Sequence, residues 1–330
     1  MAPSLPGSPV PELLVADALS TGHPTRTVAI SGGQSHACAL KSGGVLTCWG
    51  NNRYGQLDGP DGTFTTISTT CWTPPGASSP ECWGISESGK LGPQGTFTAI
   101  STGQYHSCGI KTDGTVACWG RNYQGQSDAP DGTFTAISTG QYHSCGIKTD
   151  GTVACWGSNF QGRSDAPDGT FRAISAGRDL SCGIKTDGTV ACWGSNQHRS
   201  CQQGADGWEC TDVRSNQLDA PEGTFTALSV GGPSYAGHAQ SCGIKTDGTV
   251  ACWGNNDWGQ SDAPGGTFTA VSAGNAHTCG IKSNGTIACW GAKFTYPAQG
   301  RFTHIAQSLY WIHSYAINAD GGVEYVGLLW

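Results

Sequence analysis

The chain has 330 residues with 51 glycines, 16 cysteines and a formal net charge of −7. Only 17 residues are Lys or Arg. A nucleic-acid-binding face needs clustered positive charge to displace phosphate counterions, so the composition argues against a nucleic-acid partner. No stretch is long and apolar enough to cross a membrane, which argues against membrane insertion.

Residues 1–27 precede the first repeat and are interpreted as an N-terminal segment. The segment begins without a basic region, and its apolar stretch at 11–19 is too short for a signal peptide or an anchor. We therefore expect a mature or recombinant chain whose signal has been removed. The last repeat ends without the outer strand expected in the others, and residues 10–15 are a candidate to supply it.

The chain from residue 28 onward is a tandem repeat. The 24 residues 97–120 recur unchanged at 134–157, 37 positions later, and looser copies fill most of the rest. Such a period predicts an array of one supersecondary unit that buries its apolar face against its neighbours, so 28–330 is expected to be one domain. The eight units counted have first strands that begin at Val28, Phe64, Phe97, Phe134, Phe171, Phe225, Phe268 and Phe302.

Each unit is predicted to be β throughout, because short runs of Thr, Val, Ile and aromatic residues alternate with Gly, Pro, Asp and Asn. In one unit, Cys108 and Cys118 are symmetric about Asp113. Gly114 suits the left-handed position of a three-residue hairpin turn. This register places the two cysteines directly opposite each other on antiparallel strands, within reach of a disulfide bond.

The cysteines predict one disulfide bond in each unit that carries them. A zinc or redox site is the alternative, but the chain has no Cys-x-x-Cys motif. Disulfides are typical of oxidising compartments, so a secreted, extracellular or cell-surface protein is expected. The last unit has Tyr315 and Tyr325 in the cysteine positions. The expected pairs are Cys38–Cys48, Cys71–Cys82, Cys108–Cys118, Cys145–Cys155, Cys182–Cys192, Cys242–Cys252 and Cys279–Cys289, with Cys201–Cys210 inside an insertion.

Strand direction predicts a face for binding. The loop between strands one and two and the loop after strand three should lie at the same edge of each sheet, and the insertions at 195–217 and 232–240 follow such strands. Variable loops rich in Tyr and Trp on a rigid scaffold are typical of binding surfaces. Packing between units is the alternative for each aromatic residue. The candidate binding residues are Tyr54, Tyr105, Tyr123, Tyr142, Phe160, Arg178, Asp179, Trp258, Tyr310 and Trp311.

Other motifs receive structural interpretations. The Asp-Ala-Pro-Asp-Gly segments predict turns at the opposite edge, and calcium would need a ligand set with alternating spacing that is missing. No catalytic motif is found, so no enzyme, cofactor or metal is expected. Asn284-Gly285-Thr286 is an N-glycosylation sequon in a eukaryotic host. One histidine per unit is expected to hydrogen-bond between units, and these residues are His36, His106, His143, His277 and His313.

The repeated string resembles a known family. Gly-x-x-His-x-Cys-x-Ile-Lys-x-Asp-Gly-x-Val-x-Cys-Trp-Gly, seen most completely within 134–163, resembles the regulator of chromosome condensation repeat over about residues 28–327. The resemblance implies an all-β chain folded as a single β-propeller, usually of seven blades, whereas eight units are counted here. A ring of eight blades is favoured, and seven blades with an irregular second copy is the alternative. Asn256-Asp257-Trp258-Gly259 is also similar to secreted propellers of the β-lactamase inhibitor protein II type. The cysteine-bearing copies are similar to the ectodomains of plant crinkly-type receptor kinases.

Three functional classes remain open. We favour a secreted or cell-surface propeller that engages a protein partner through its aromatic-rich loops. The second class is a glycan-binding adhesin or lectin, indicated by identical Gln-Tyr pairs at 104–105 and 141–142. The third is a structural surface or filament subunit, in which the apolar ends at 13–15 and 328–330 mediate self-assembly.

Overall fold

The computed structural model shows an all-β chain. Its described part forms seven three-stranded antiparallel sheets, one for each of seven of the eight predicted units, and one separate two-stranded hairpin. The unit that begins at Phe64 lies outside the described residues. We call each sheet a blade and number it by the first-strand residue given above. The structure describes residues 27–32, 36–41, 46–50, 97–103, 106–111, 113–120, 122–204, 207–214, 216–232, 239–292, 300–307, 314–320 and 322–325.

The strands follow the repeat. The helical element of the described part is a 3-10 turn at Phe160–Gly162. The strands are β1 Thr27–Gly32, β2 His36–Lys41 and β3 Leu46–Gly50 in blade 28; β4 Phe97–Thr102, β5 His106–Lys111 and β6 Val116–Gly120 in blade 97; β7 Phe134–Thr139, β8 His143–Lys148 and β9 Val153–Gly157 in blade 134; β10 Phe171–Ala176, β11 Leu180–Lys185 and β12 Val190–Gly194 in blade 171; β13 Gln197–Gly204 and β14 Gly207–Arg214 in the insertion; β15 Phe225–Val230, β16 Gln240–Lys245 and β17 Val250–Gly254 in blade 225; β18 Phe268–Ala273, β19 His277–Lys282 and β20 Ile287–Gly291 in blade 268; and β21 Phe302–Gln307, β22 Ser314–Asn318 and β23 Val323–Tyr325 in blade 302.

In five blades, strands two and three are joined by the predicted disulfide bond. In blade 97, Cys108 lies opposite Cys118 with a Cα–Cα distance of 4.0 Å, and the two sulfur atoms are bonded. Cys71 and Cys82 lie outside the described residues. The same bond joins Cys145–Cys155, Cys182–Cys192, Cys242–Cys252 and Cys279–Cys289. The backbone register also places Cys38 opposite Cys48 and Cys201 opposite Cys210.

The hairpin turn has the geometry predicted from Thr-Asp-Gly. Gly114 has a φ of 84°, the left-handed conformation that favours glycine. Asp113 Oδ1 accepts hydrogen bonds from the hydroxyl and the N–H of Thr115 at 2.7 and 2.9 Å. Both hydrogen bonds lower the pKa of the Asp113 carboxyl group, and the bond from the hydroxyl has the larger effect. In blade 268, Asn284 replaces the aspartate and accepts the same two bonds from Thr286.

Neighbouring blades stack through an apolar layer. Between blades 134 and 171, Cys145 and Ile147 of one blade pack against Phe171 and Trp193 of the next. The two aromatic rings meet edge to face with centroids 6.1 Å apart. Full burial of a large apolar side chain stabilises a fold by about 1.5–3 kcal/mol. The apolar face of a blade is thus covered by its neighbour, as the repeat period predicts.

The last blade packs against the first. From blade 97 to blade 302, the second strand of each described blade contacts the first strand of the next, and β22 of blade 302 contacts β1 of blade 28 in the same way. The strands of blade 28 come from the N-terminal part of the chain, and those of blade 302 come from the C-terminal part. The first and the last described blades are therefore packed face to face. The proposed closing strand at 10–15 lies outside the described residues.

First strands lie at the centre of the ring, where hydroxyl groups connect them. The Oγ atom of Ser138 accepts the N–H of Ala176 in the next blade at 2.9 Å. A Cβ atom on Gly140 would lie 2.1 Å from the carbonyl oxygen of Gly177, so no side chain fits there. In three more pairs of blades a serine hydroxyl oxygen accepts a backbone N–H of the next blade. These pairs are Ser101 with Thr139, Ser175 with Val230 and Ser229 with Ala273.

The segment that joins one blade to the next differs from the sequence prediction in two ways: where it is described, it forms no outer strand, and it does not lie at one edge of the sheet. Each described sheet has three strands, and residues 122–133 form turns rather than a fourth strand, because Pro130 has no N–H to donate to a sheet. Asp128 is bonded to Asn122 beside the end of strand three, whereas Thr133 is bonded to Thr149 near the Thr-Asp-Gly turn. The Asp-Ala-Pro-Asp-Gly segment therefore runs between the two edges of the sheet instead of lying at one edge.

Candidate binding rim

Two loops of each blade meet at one edge of its sheet. In blade 134, the N–H of Ser158, just after strand three, donates to the carbonyl oxygen of Tyr142 between strands one and two at 2.9 Å. In blade 171 the N–H of Ser195 donates to the carbonyl oxygen of Asp179 at 2.8 Å. We call this edge the upper rim and the edge with the Thr-Asp-Gly turns the lower rim. The two loops share an edge, as the strand directions predict.

Three large aromatic side chains are exposed on the upper rim. Tyr123 is 76 % exposed, and Phe160 and Trp258 are each 66 % exposed. Each follows strand three of its blade. They are the exposed large hydrophobic residues of the described part of the chain. Exposed aromatic residues on ordered loops are typical contacts for a partner.

The loops that carry these aromatic residues are held by the same side-chain hydrogen bonds. Asn122 Nδ2 donates to Asp128 Oδ1 at 2.7 Å, and Asn122 Oδ1 accepts the N–H of Ser127 at 2.9 Å. Sequence reasoning missed this contact, although an Asn and an Asp recur six positions apart. An ordered loop loses less conformational entropy on binding. The equivalent Asn–Asp bonds join Asn159 to Asp165 and Asn256 to Asp262 at 2.8 Å.

A buried glutamine fixes two of these loops to the core. Gln126 is fully buried, and its Oε1 atom accepts the N–H of Gln124 at 2.9 Å. Its carbonyl oxygen accepts the indole N–H of Trp156 in the next blade at 3.0 Å. Gln260 Oε1 likewise accepts the N–H of Trp258 at 2.8 Å. A buried side chain therefore holds the backbone N–H of Trp258 and that of Gln124, the residue next to Tyr123.

Blade 134 has Arg163 in place of this glutamine. The side chain is buried, and its guanidinium group forms an ion pair of 3.2 Å with Asp179 of blade 171. Burial lowers the pKa of Arg163, and the carboxylate of Asp179 opposes that effect. Arg178 also pairs with Asp179, at 3.4 Å. The structure thus brings the predicted site residues Arg178 and Asp179 together with Arg163, which sequence reasoning did not select.

Sequence differences between blades 97 and 134 are confined to this rim. Residues 97–133 and 134–170 differ at three aligned positions. All three lie in the loop after strand three, and the rest of the two repeats is identical. The strands and the lower-rim turns are therefore constant while the loop changes, at one exposed pair, Tyr123 and Phe160, and at one buried pair, Gln126 and Arg163. The differing pairs are Arg121 and Ser158, Tyr123 and Phe160, and Gln126 and Arg163.

The other predicted site residues have different environments. Tyr142 is half-buried and Gln141 is buried, so the Gln-Tyr pair of blade 134 does not present its amide to a ligand. The insertion at 195–217 forms the β13–β14 hairpin, and most of the insertion at 232–240 lies outside the described residues. Outside them too lie Tyr54, Tyr105, Tyr310 and Trp311.

Three of the five repeated histidines, His106, His143 and His277, are buried, and the side chain of His36 lies outside the described part of the structure. His106 Nε2 lies 2.6 Å from the hydroxyl oxygen of Ser144 in the next blade. Burial lowers the pKa of His106 to about 3, and burial is also the main cause of a pKa of about 3 for His143. His277 is buried as well, and His313 lies outside the described residues. Among the described residues, no group of three or more His, Cys, Asp or Glu side chains could hold a metal ion.

Helices long and apolar enough to cross a membrane do not occur in the part of the chain that the structure describes.

Five stretches of the chain match the family model described as the regulator of chromosome condensation (RCC1) repeat. No curated protein matches the chain. The matching stretches are residues 28–56, 97–126, 134–163, 171–199 and 268–292.

Several solved structures are similar in fold. The ectodomain of the receptor kinase CR4 from Physcomitrella patens superimposes with a TM-score of 0.61 and 20% identity, covering 91% of this chain and 73% of that chain. The ectodomain of the Arabidopsis thaliana receptor kinase ACR4 gives 0.59 and 20%, covering 92% and 98%. Yeast RCC1 (Prp20), solved bound to Kap60, gives 0.56 and 15%, covering 92% and 81%. At these identities the similarity establishes the fold.

Proposed function

We propose that this chain, a β-propeller built of RCC1 repeats, is a binding protein that engages a protein partner through its upper rim. The observation that carries the proposal is the exposure of Tyr123, Phe160 and Trp258 on loops of the same kind. Aromatic side chains supply large contact areas at low entropic cost and dominate binding energies in protein interfaces. In this proposal the chain is not an enzyme.

Two features of the loops support a role in binding rather than in packing. The Asn–Asp hydrogen bonds fix the loop backbone while the rings point into solvent, so the order of the loops does not depend on burying the rings. The differences between blades 97 and 134 fall in this loop alone. A surface that changes on a constant scaffold is where specificity for a partner is built.

The disulfide bonds support an extracellular or cell-surface site of action. Five bonds join the hairpins of the described blades, and such bonds form and persist in oxidising compartments. Two of the similar structures are ectodomains of receptor kinases. In this proposal the partners of the upper rim are secreted or membrane-bound proteins.

Affinity capture with matched variants tests the proposal. The purified chain is offered to the surface and secreted proteins of its source organism, in parallel with the upper-rim variant Y123A/F160A/W258A and the lower-rim control D131A/D168A/E222A. Each control position lies two residues before a threonine whose hydroxyl is hydrogen-bonded to the threonine of a lower-rim turn. All six positions are exposed. We expect the wild type and the control to capture the same proteins and the upper-rim variant to lose them.

Two other outcomes count against the proposal. Capture that the lower-rim control loses and the upper-rim variant keeps places the site on the opposite edge. Binding to neutral oligosaccharides on a glycan array, abolished by the upper-rim variant, assigns the rim to the glycan-binding class instead.

A further inference from the structure

The Phe160 loop, residues 158–165, is attached differently from the loops that carry Tyr123 and Trp258. In blades 97 and 225, the buried glutamine accepts a hydrogen bond from its own loop, through Gln126 and Gln260. The side chain of each of these two glutamines is therefore hydrogen-bonded within its own loop. Arg163 occupies the same position in blade 134 and reaches further.

Arg163 joins the Phe160 loop to the next blade. Its Nε atom donates to the carbonyl oxygen of Phe160 at 2.9 Å. Its two terminal nitrogens contact blade 171, one donating to the carbonyl oxygen of Arg178 at 3.2 Å and the other pairing with Asp179 Oδ1 at 3.2 Å. The guanidinium carbon lies 5.5 Å from the centroid of the Phe160 ring, within the range of a cation–π contact.

The backbone of the Phe160 loop also has a distinct conformation. Gln161 has a φ of 59°, a left-handed conformation that is uncommon outside glycine. The aligned residue in blade 97, Gln124, does not have a positive φ. The bond from Arg163 to the Phe160 carbonyl ends at the peptide next to Gln161, so it holds the strained residue in place.

We infer that Arg163 and Asp179 are positioning residues for Phe160, fixing its loop to blade 171 so that the ring is presented in a conformation that Tyr123 does not share. The inference rests on the proposed function for the use of the ring, but the attachment of the loop can be measured alone. Phe160 and blade 171 then act as one unit of the binding surface.

Hydrogen exchange tests the attachment without a partner. The variant R163Q introduces the residue of blade 97, and R163Q/D179N also removes the carboxylate that Arg163 pairs with. Without the guanidinium contacts the loop opens more readily, so amide exchange in 158–165 should rise about tenfold in both variants. Exchange in 121–128, the Tyr123 loop, should stay as in the wild type and serves as the internal control.

Stability and positioning separate in the same pair of variants. The melting temperature should fall in R163Q, because the mostly buried carboxylate of Asp179 keeps only Arg178 as an ion-pair partner. It should recover in part in R163Q/D179N, which removes that charge. Exchange in 158–165 should stay fast in both. Unchanged exchange in R163Q, or exchange that recovers together with the melting temperature, would overturn the inference.

A double-mutant cycle on capture by the rim connects the loop to function. We compare R163Q, F160A and R163Q/F160A for the amount of each protein that the wild type captures. R163Q should reduce capture, and the double variant should capture no less than F160A alone, because Arg163 acts through Phe160. Additive losses would show that Arg163 acts elsewhere and would overturn the inference. Fast exchange in R163Q together with full capture by F160A would uphold the positioning and count against the proposed function.

Discussion

His143 Nε2 lies 2.8 Å from the hydroxyl oxygen of Ser181 in the next blade, and both side chains are fully buried. The contact repeats between His106 and Ser144 at 2.6 Å. The blade-to-blade hydrogen bond expected of the repeated histidines is thus confirmed for His106 and His143. Since burial lowers the pKa of both histidines to about 3, the imidazole rings are neutral in the folded protein at neutral pH.

Stability should therefore decrease in mild acid. The pKa of each histidine is about 3 in the folded state and about 6.5 in the unfolded chain, so between these values the unfolded chain binds the proton more readily. Below a pH of about 6.5, the free energy of unfolding should fall by on the order of 1 kcal/mol per pH unit for each histidine. Urea denaturation at neutral pH and near pH 4.5 measures the slope.

Leu180 of blade 171 supplies the matched variant for this prediction, because it occupies the position of His143. The variant H143L should show a shallower dependence on pH than the wild type. Equal losses of stability in H143L and the wild type would mean that His143 does not contribute to the acid sensitivity.

Peptide mapping without reduction should show disulfide bonds within hairpins throughout the chain. The register places Cys38 opposite Cys48 and Cys201 opposite Cys210, and opposed cysteines on antiparallel strands are within bonding distance. We expect these two pairs, together with Cys71–Cys82. Free thiols, or bonds that join cysteines of different blades, would contradict the hairpin rule.

Reduction should weaken the blades without abolishing their β-structure. Each bond closes a short loop and is expected to contribute about 2–3 kcal/mol in the chain-entropy model. Blade 302 forms its hairpin with Tyr315 opposite Tyr325 instead of a disulfide bond, so sulfur is not required for the strand pairing. Circular dichroism with and without reductant measures this, and complete loss of the β signal at room temperature would show that the bonds are obligatory.

The central glycines should not tolerate a side chain. In the variant G140A the new Cβ atom would lie 2.1 Å from the carbonyl oxygen of Gly177, so the blades must separate, and we expect a loss of about 1–3 kcal/mol. The control G265A has open space at Cβ and should be neutral or slightly stabilising. Thermal unfolding of the two variants compares them directly, and similar melting temperatures would refute close packing at the centre.

Local features were predicted from the sequence, whereas contacts between repeats were not. The hairpin turn at Asp113 and the pairing of Cys108 with Cys118 follow from residues ten positions apart or fewer, so spacing alone defines them. The pair of Arg163 with Asp179 joins two blades and depends on how closely they stack, which spacing does not specify. The half-buried state of Tyr142 likewise follows from its neighbours, so this residue is a less suitable probe of binding than an exposed one.

Affinity for an identified partner is the most direct test of the binding rim. In Y123A, F160A and W258A, removal of a ring that anchors the complex should weaken binding by about 2 kcal/mol, roughly 30-fold in the dissociation constant. The melting temperature should stay as in the wild type, because these rings are 66–76 % exposed. The lower-rim variant D131A should bind normally. Unchanged affinity in all three aromatic variants, with weakened binding in D131A, would contradict the assignment of the upper rim as the binding surface.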